Sequence, residues 1–477
     1  MILLNILQNN ILVGKKHIHM IGIGGSGMYP IAQILHFKGY YITGSDNNET
    51  ETLDAVRKMG IPVYFGQKAE NIEGADLIIY TAAIMADNPE LIAAKASGVH
   101  VLERSEVLGL ITSWYDNAIC VAGTHGKTTT TSMITQILYT AQIDLSAFIG
   151  GKLPCINGSG VAGKSDIMVC EACEFVDTFL KLYPDIAVIL NIDADHLDYF
   201  KTVDNIIKSF HAFCEKTTKA IIVNGDCQNS MKAVEGITGK EIITFGINET
   251  NDYYATNIKK ITGMQTSYTV MHKGNKVCDI TINVAGSHNV LNSLAAVAAA
   301  LYVNADIESI QKGLYDFKGA GRRFEQIGVV NDITIVDDYA HHPTEIAVTL
   351  KAAMEMGYKR VWAVFQPFTF SRTALLLDDF AEALSIADIT VLTDIMGSRE
   401  KNTFNIFTKD LGNKIDGCVY FEQDENKEPN DERKYFNFQQ VCDYVCENAQ
   451  AGDLIITLGC GDVYKVAKMI YKKMING

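Results

Sequence analysis

The run Ala122-Gly-Thr-His-Gly-Lys-Thr-Thr-Thr130 has the residue types needed to hold a polyphosphate, and it directly follows the apolar stretch Ala118–Val121. A strand entering a glycine loop, then a helix starting near Lys127, aims backbone N–H groups and a positive helix end at one point. In that setting the Lys127 ammonium reaches the terminal phosphates and the Thr128 hydroxyl reaches the magnesium that accompanies them. Gly123, Thr124, His125, Gly126 and Thr129 complete the cradle. The loop has two residues between Gly123 and Gly126, where the usual P-loop has four. When the loop is empty, the Lys127 ammonium is expected to face solvent.

A second glycine loop, Gly22-x-Gly24-x-x-Gly27, lies between the strand-like Ile18–Ile21 and the helix-like Met28–Lys38, with Asp46 nineteen residues after its last glycine. This is the dinucleotide fingerprint: Gly24, Gly25, Ser26 and Gly27 would receive a pyrophosphate, and Asp46 would meet a ribose. The spacing leaves NAD and any nucleoside diphosphate conjugate open. A chain with both loops suits a reaction between two phosphorylated molecules.

Further polar groups fall at strand ends. Glu171 and Glu174 follow the strand Ile167–Cys170, and Asn191-Ile-Asp-Ala-Asp-His196 follows Ile186–Leu190. The carboxyl ends of parallel strands converge on the crevice that holds a nucleotide, so these groups can hold magnesium against a phosphate. Asn289 and Asn292 open an Ala-rich helix, where they read as simple caps. Arg322 and Arg323 sit in Gly319–Glu325, either pairing with acids or clamping phosphate. Asp337-Asp338-Tyr-Ala-His341-His342-Pro343 ends another strand.

The elements that must position these groups alternate between strand and helix. They predict three α/β domains: residues 1–113, Rossmann-like; 114–322, P-loop ATPase-like with a small β insert near 253–284; and 323–477, Rossmann-like. The opening Met1–Leu7 is too short to span a bilayer and lacks the flanks of a signal peptide; it reads as an amphipathic segment packed on the body. With 41 basic and 56 acidic residues the net charge is −15, which argues against nucleic acid or an anionic membrane as the main partner. Eleven cysteines without framework spacing suit reduced thiols in a cytoplasm, and the lone Cys170-x-x-Cys173 reads as packing. A monomer or weak homodimer is expected.

Taken together, GIGGSGM, AGTHGKTTTT, EACE, NIDADHLDYF, GSHNVLNSLAA, GAGRRFE and DDYAHHPTE resemble the Mur ligase family along nearly the whole chain. GIGGSGM and DDYAHHPTE look like its alanine-adding branch. The resemblance implies that ATP, with Mg2+, phosphorylates the lactyl carboxylate of UDP-N-acetylmuramate, and that the amine of L-alanine attacks the acyl phosphate. It implies Lys127, His196 and Arg323 as catalytic groups, with Thr128 and Glu171 at one magnesium and His196 at a second. Asn289 would contact adenine, Arg323 the phosphates, and Asp338 the ATP ribose or phosphate edge. Gly24, Ser26 and Gly27 would take the UDP diphosphate, with Asp46 near the uridine. Arg372 would grip the amino-acid carboxylate, with His341 in the same site. Two departures stand out. Phe210 and His211 occupy the positions where some members carry a carbamylated lysine, and Phe368 follows Phe365-Gln-Pro where the branch commonly has histidine.

Overall fold

The computed structural model describes residues 11–262, 264–284, 286–397, 400–421 and 436–476; the Met1–Leu7 segment lies outside them. Three sheets organise the chain. In the first, β1 (His17–Ile21), β2 (Tyr41–Asp46), β3 (Val63–Phe65), β4 (Leu77–Tyr80) and β5 (His100–Glu103) are ordered β3-β2-β1-β4-β5 and all parallel. Order reverses beside β1, so the glycine loop leaving its carboxyl end opens into a crevice. The helix Pro89–Ala96 is pinned to this sheet from within. Glu90 is buried, with one oxygen 2.7 Å from His19 Nε2 and the other accepting from Ser45 Oγ at 2.6 Å. Buried polar groups persist only when so partnered.

The central sheet contains β6 (Asn117–Ala122), β7 (Ser146–Leu153), β8 (Gly158–Val161), β9 (Ile167–Glu171), β10 (Ile186–Ile189), β11 (Ala220–Asn224) and β12 (Glu241–Gly246), followed by β13 (Tyr253–Thr262), β14 (Gln265–His272) and β15 (Asn275–Ile282). Their order is β15-β14-β13-β12-β11-β10-β6-β9-β7-β8. The last three strands extend this sheet at its edge, β13 pairing parallel to β12; they are the small β insert. Apolar runs such as Ile186–Ile189 are wholly buried, as strands covered on both faces must be.

Helix Lys127–Thr140 leaves β6 and is rich in threonine, a poor helix former. It is helical because its buried face packs on helices His288–Tyr302 and Ile307–Asp316; the hydroxyls of Thr131 and Thr135 are satisfied by donating to the carbonyls of Lys127 and Thr131, each at 2.8 Å.

The third sheet comprises β16 (Glu325–Val330), β17 (Ile333–Asp338), β18 (Arg360–Phe365), β19 (Ile389–Leu392), β20 (Val419–Tyr420) and β21 (Asp453–Leu458), in the order β16-β17-β21-β18-β19-β20. Only β16 runs antiparallel to its neighbour; the other pairs are parallel. Alternation along its strands feeds two separate cores, Val336, Ala363 and Ile456 on one face and Ile335, Trp362 and Ile455 on the other.

The chain divides into two compact units, one with the first sheet and all of the central sheet but the β13–β14 turn at residues 260–266, the other with that turn, residues 283–287 and the third sheet. The first two stay together because one continuous core runs through Tyr29, Leu108, Phe148 and Phe179.

Candidate active site

The glycine loop Gly22–Gly27 separates two clefts that share Gly25, Thr81 and Ala83. One, of about 680 Å3, extends over Asp46, Asn47, Gln67 and Asn88. The other, of about 410 Å3, extends past Ser26, Gly27 and Arg104 to Gly150, Glu171 and Cys173. Both lie within the first unit. Asp46 lines the larger cleft, but its carboxylate is engaged by the loop itself: Oδ2 accepts Gly24 N at 2.9 Å and Oδ1 accepts Asn48 N at 3.0 Å. It sets the shape of the glycine turn.

Arg104 gave no signal in the sequence. It opens the helix Arg104–Thr112 with its guanidinium beside Gly27 and 5.8 Å above the Phe148 ring. Among the described residues it has no acidic partner, and it puts a positive charge in the smaller cleft beside the end of the loop.

At the phosphate loop, β6 lies between β9 and β10, so three carboxyl ends meet. Gly126 caps the helix with φ +85°, and a Cβ there would stand 2.5 Å from Asn292 Oδ1. Only glycine suits both conditions. Asn292 Nδ2 in turn donates to Asn289 Oδ1 at 2.9 Å, so the Ala-rich helix braces the loop. Asn191, following β10, holds the loop backbone: its Oδ1 accepts His125 N at 2.8 Å and its Nδ2 donates to His125 O at 3.0 Å. Thr124 Oγ1 accepts Asp193 N at 2.9 Å.

Lys127 does not face solvent. Its ammonium donates to Gly123 O at 2.5 Å and Thr124 O at 3.0 Å, and lies 2.9–3.0 Å from both oxygens of Glu174. The side chains of Lys127 and Glu174 are 15% and 3% exposed. The solvent-facing expectation is corrected: two loop carbonyls and the Glu174 carboxylate lie within reach of the ammonium and hold it. Burial works against its charge, but the charges of Glu174, Cys173 and Glu171 outweigh it, and its pKa is raised.

Glu171 Oε2 accepts Gly150 N at 2.9 Å at the end of the smaller cleft. Thr128 is buried in the first turn of the loop helix. His196 has φ +51°, stacks tilted against Phe175 at 4.7 Å and sits 3.7 Å from Asp195. Beside it, Val176 and Asp177 also have positive φ, and Tyr199 and Ser209 hydroxyls fasten the Asp177 carboxylate. Such strain in non-glycine residues persists only where surrounding contacts impose it. Among the described residues no three His, Cys, Asp or Glu side chains converge as a metal cage. Thr128 and Glu171 offer oxygen donors, the ligand chemistry that magnesium takes, and such an ion keeps several waters and phosphate oxygens in its shell.

In the second unit the two adjacent arginines differ. Arg322 donates to Asp337 at 2.9 Å and to the carbonyls of Gly459, Cys460 and Gly461, and is stacked on Tyr464. It fastens β17 to the turn after β21. Arg323 has no hydrogen bond or ion pair among the described residues and lies 5.2 Å from the Tyr339 ring. Asp338 accepts Phe324 N and Ala340 N, and burial raises its pKa to about 6 against the opposing pull of Arg323. His341 Nδ1 lies 3.1 Å from Tyr339 O and 3.2 Å from Glu345. Both are acceptors, so Nδ1 carries the proton. Burial alone would raise the Glu345 pKa, yet His341 and Arg323 bring it well below the usual range. Arg372, on the short helix Phe370–Leu375, keeps Nη1 buried with no hydrogen-bond partner.

Family models match in three consecutive stretches: the Mur ligase family catalytic domain at residues 17–115, the Mur ligase middle domain at 121–300, and the Mur ligase glutamate ligase domain at 322–461. The UDP-N-acetylmuramate–L-alanine ligase of Agathobacter rectalis is 44% identical over 96% of this chain and 98% of its own. The chain belongs to the Mur ligase family. The same enzyme of Acetivibrio thermocellus is 42% identical over 96% of each chain. Among solved structures, the UDP-N-acetylmuramate-alanine ligase of Thermotoga maritima superposes with a TM-score of 0.80 at 24% identity, over 97% of this chain and 99% of that one. A murein peptide ligase from Psychrobacter arcticus gives 0.71 at 25% identity, with 97% and 99% covered.

In this Mur ligase, Phe210 lies on the buried face of helix Val203–Lys216, and His211 Nδ1 donates to Ala233 O at 3.0 Å. Neither position offers a lysine to the phosphate loop. Phe368 bridges to Met396 through backbone pairing.

Proposed function

We infer that this Mur ligase joins L-alanine to the lactyl carboxylate of UDP-N-acetylmuramate with conversion of ATP to ADP and phosphate, a step of peptidoglycan precursor synthesis. The observation that carries the reading is the pair of contiguous clefts, which run from Asn47 and Gln67 across the Gly22–Gly27 loop to Glu171 and Cys173. An elongated nucleotide sugar fits that path, with uridine in the larger cleft, diphosphate on the loop amides and Arg104, and the lactyl carboxylate toward Glu171. The names carried by the full-length relatives support it.

A carboxylate is a poor electrophile, so the reaction needs a leaving group on it. The lactyl carboxylate oxygen attacks the γ-phosphorus of ATP, ADP departs, and an acyl phosphate remains. The amine nitrogen of alanine then attacks the acyl carbon, loses a proton, and expels phosphate. Lys127, turning from Glu174 to the γ-phosphate, and Arg323 stabilise the charge on the transferring phosphoryl group. Asn289 meets adenine, and Asp338 the ribose or phosphate edge. Thr128 and Glu171 would hold magnesium, with His196 at a second ion; magnesium supplies charge neutralisation on the phosphate oxygens. Arg372, whose Nη1 lacks a partner, takes the alanine carboxylate, with His341 beside it.

Phosphate release from ATP tests this directly. It should require both UDP-N-acetylmuramate and L-alanine; release that proceeds without either, or that requires a peptide instead of alanine, would overturn the reading.

A further inference from the structure

The orientation of three side-chain amides in the larger cleft is fixed by a chain of hydrogen bonds that begins at a helix backbone. Asn88 Oδ1 accepts the N–H groups of Glu90 and Leu91, each at 3.0 Å, as the N-cap of helix Pro89–Ala96. Its Nδ2 is therefore the outward group, and it donates to Gln67 Oε1 at 2.6 Å. Asn47 Nδ2 donates to the same oxygen at 3.0 Å. A carbonyl oxygen has two lone pairs, and both are now used. Gln67 must then present Nε2, a double donor, and Asn47 must present Oδ1, an acceptor. Among the described residues neither atom has a hydrogen-bond partner. The anchor is firm, because Glu90 in the same helix is tied to His19 and Ser45 in the sheet below.

The same cleft has an apolar side made by Ile84, Met85 and Pro89, with Met85 55% exposed. A flat ring can rest on that side while its edge meets the amides.

We propose that Gln67 and Asn47 read the imide edge of the nucleotide's uracil, Gln67 Nε2 donating to the C4 carbonyl and Asn47 Oδ1 accepting from N3–H. Cytosine offers the opposite order at that edge, an amino donor in place of the carbonyl and a bare ring nitrogen in place of N3–H, so it mismatches both groups. This rests on the reading that the first domain holds a uridine nucleotide, and it adds which residues select the base.

Calorimetry on the full chain with UDP, CDP and ADP tests it. The native chain should prefer UDP to CDP by about tenfold or more, the scale of one or two hydrogen bonds left unmade. Gln67→Glu keeps the oxygen that Asn47 and Asn88 use but replaces the donor with an acceptor. It should weaken UDP by roughly ten- to 100-fold and shift the preference toward CDP, with ADP affinity at the phosphate loop unchanged. Asn47→Ala, at an exposed position, should weaken UDP about three- to tenfold. An unaltered UDP-to-CDP ratio in both variants, with ADP bound normally, overturns the base-reading role and leaves the ligase reading standing. Failure of the native chain to bind UDP at all overturns both.

Discussion

Lys127 and Glu174 form a buried pair whose two halves have separate consequences. Removing the ammonium strands a carboxylate that is 3% exposed and, in the proposed reaction, takes away stabilisation of the transferring phosphoryl group. Breaking such a pair costs on the order of 3–5 kcal/mol. Lys127→Ala is therefore expected to abolish turnover and to lower denaturant stability, whereas Lys127→Met combined with Glu174→Gln should recover stability without activity. Residual turnover within tenfold of the parent would remove Lys127 from the chemistry. Asp338 gives a pH signature. Its pKa is raised to about 6, so between the unfolded value of 3.8 and about 6 the folded chain holds a proton that the unfolded chain has released. The contribution is fully present below 3.8 and is lost as pH rises through 6, a change of roughly 3 kcal/mol. The stability gap between the parent and Asp338→Asn should shift by that order across this window; a gap constant with pH would show Asp338 ionised throughout. Arg372→Ala should raise the Michaelis constant for alanine about ten- to 150-fold, the worth of a charged hydrogen bond, and leave that for ATP nearly unchanged. An unmoved alanine constant would send the amino-acid site elsewhere.

At the scale of elements, the strained turn after β9 depends on a close approach from the first domain. Helix Arg104–Thr112 meets the segment Lys181–Leu182 at Gly109, where a Cβ would press on the Lys181 carbonyl oxygen and stand 2.9 Å from its carbon. Backbone cannot retreat as a flexible side chain can. Gly109→Ala should cost about 1–3 kcal/mol in overpacking. Because residues 171–181 carry Glu171, Glu174 and the Phe175 that packs on His196, activity should fall by more than the loss of folded protein explains. Equal losses in both would mean that the helix only supports the fold. The same contact places Arg104, the first residue of that helix, in the cleft.

For the whole molecule, the two glycine loops lie at different strand ends of one unit, so two nucleotides held there as proposed should stabilise it separately. Each at 100 times its dissociation constant adds about 2.7 kcal/mol. Melting scans with ATP, with UDP-N-acetylmuramate, and with both should show two increments that sum. A second ligand without effect would mean that the two compete for one site. No helix among the described residues is long and apolar enough to cross a membrane.

Much of this was legible in sequence because the signals are local. A glycine loop between an apolar run and a helix fixes its own geometry, which is why Gly22–Gly27 and Gly123–Thr128 could be read as phosphate cradles. Strand periodicity likewise announced three α/β sheets, and the motifs announced the family. Other features depend on which distant residues meet. Glu174 holding Lys127, Asp46 serving the glycine loop, and Arg322 rather than Arg323 fastening β17 are outcomes of competition among nearby partners. Arg104 is an ordinary residue at a helix start until folding sets it beside Gly27. Asn47, Gln67 and Asn88 come from three separate segments, and only their convergence fixes which amide atom each turns outward. Sequence specified the loops and the strands; the tertiary structure decided the partners, because hydrogen bonds and charges act over a few ångströms in space, whatever the separation along the chain.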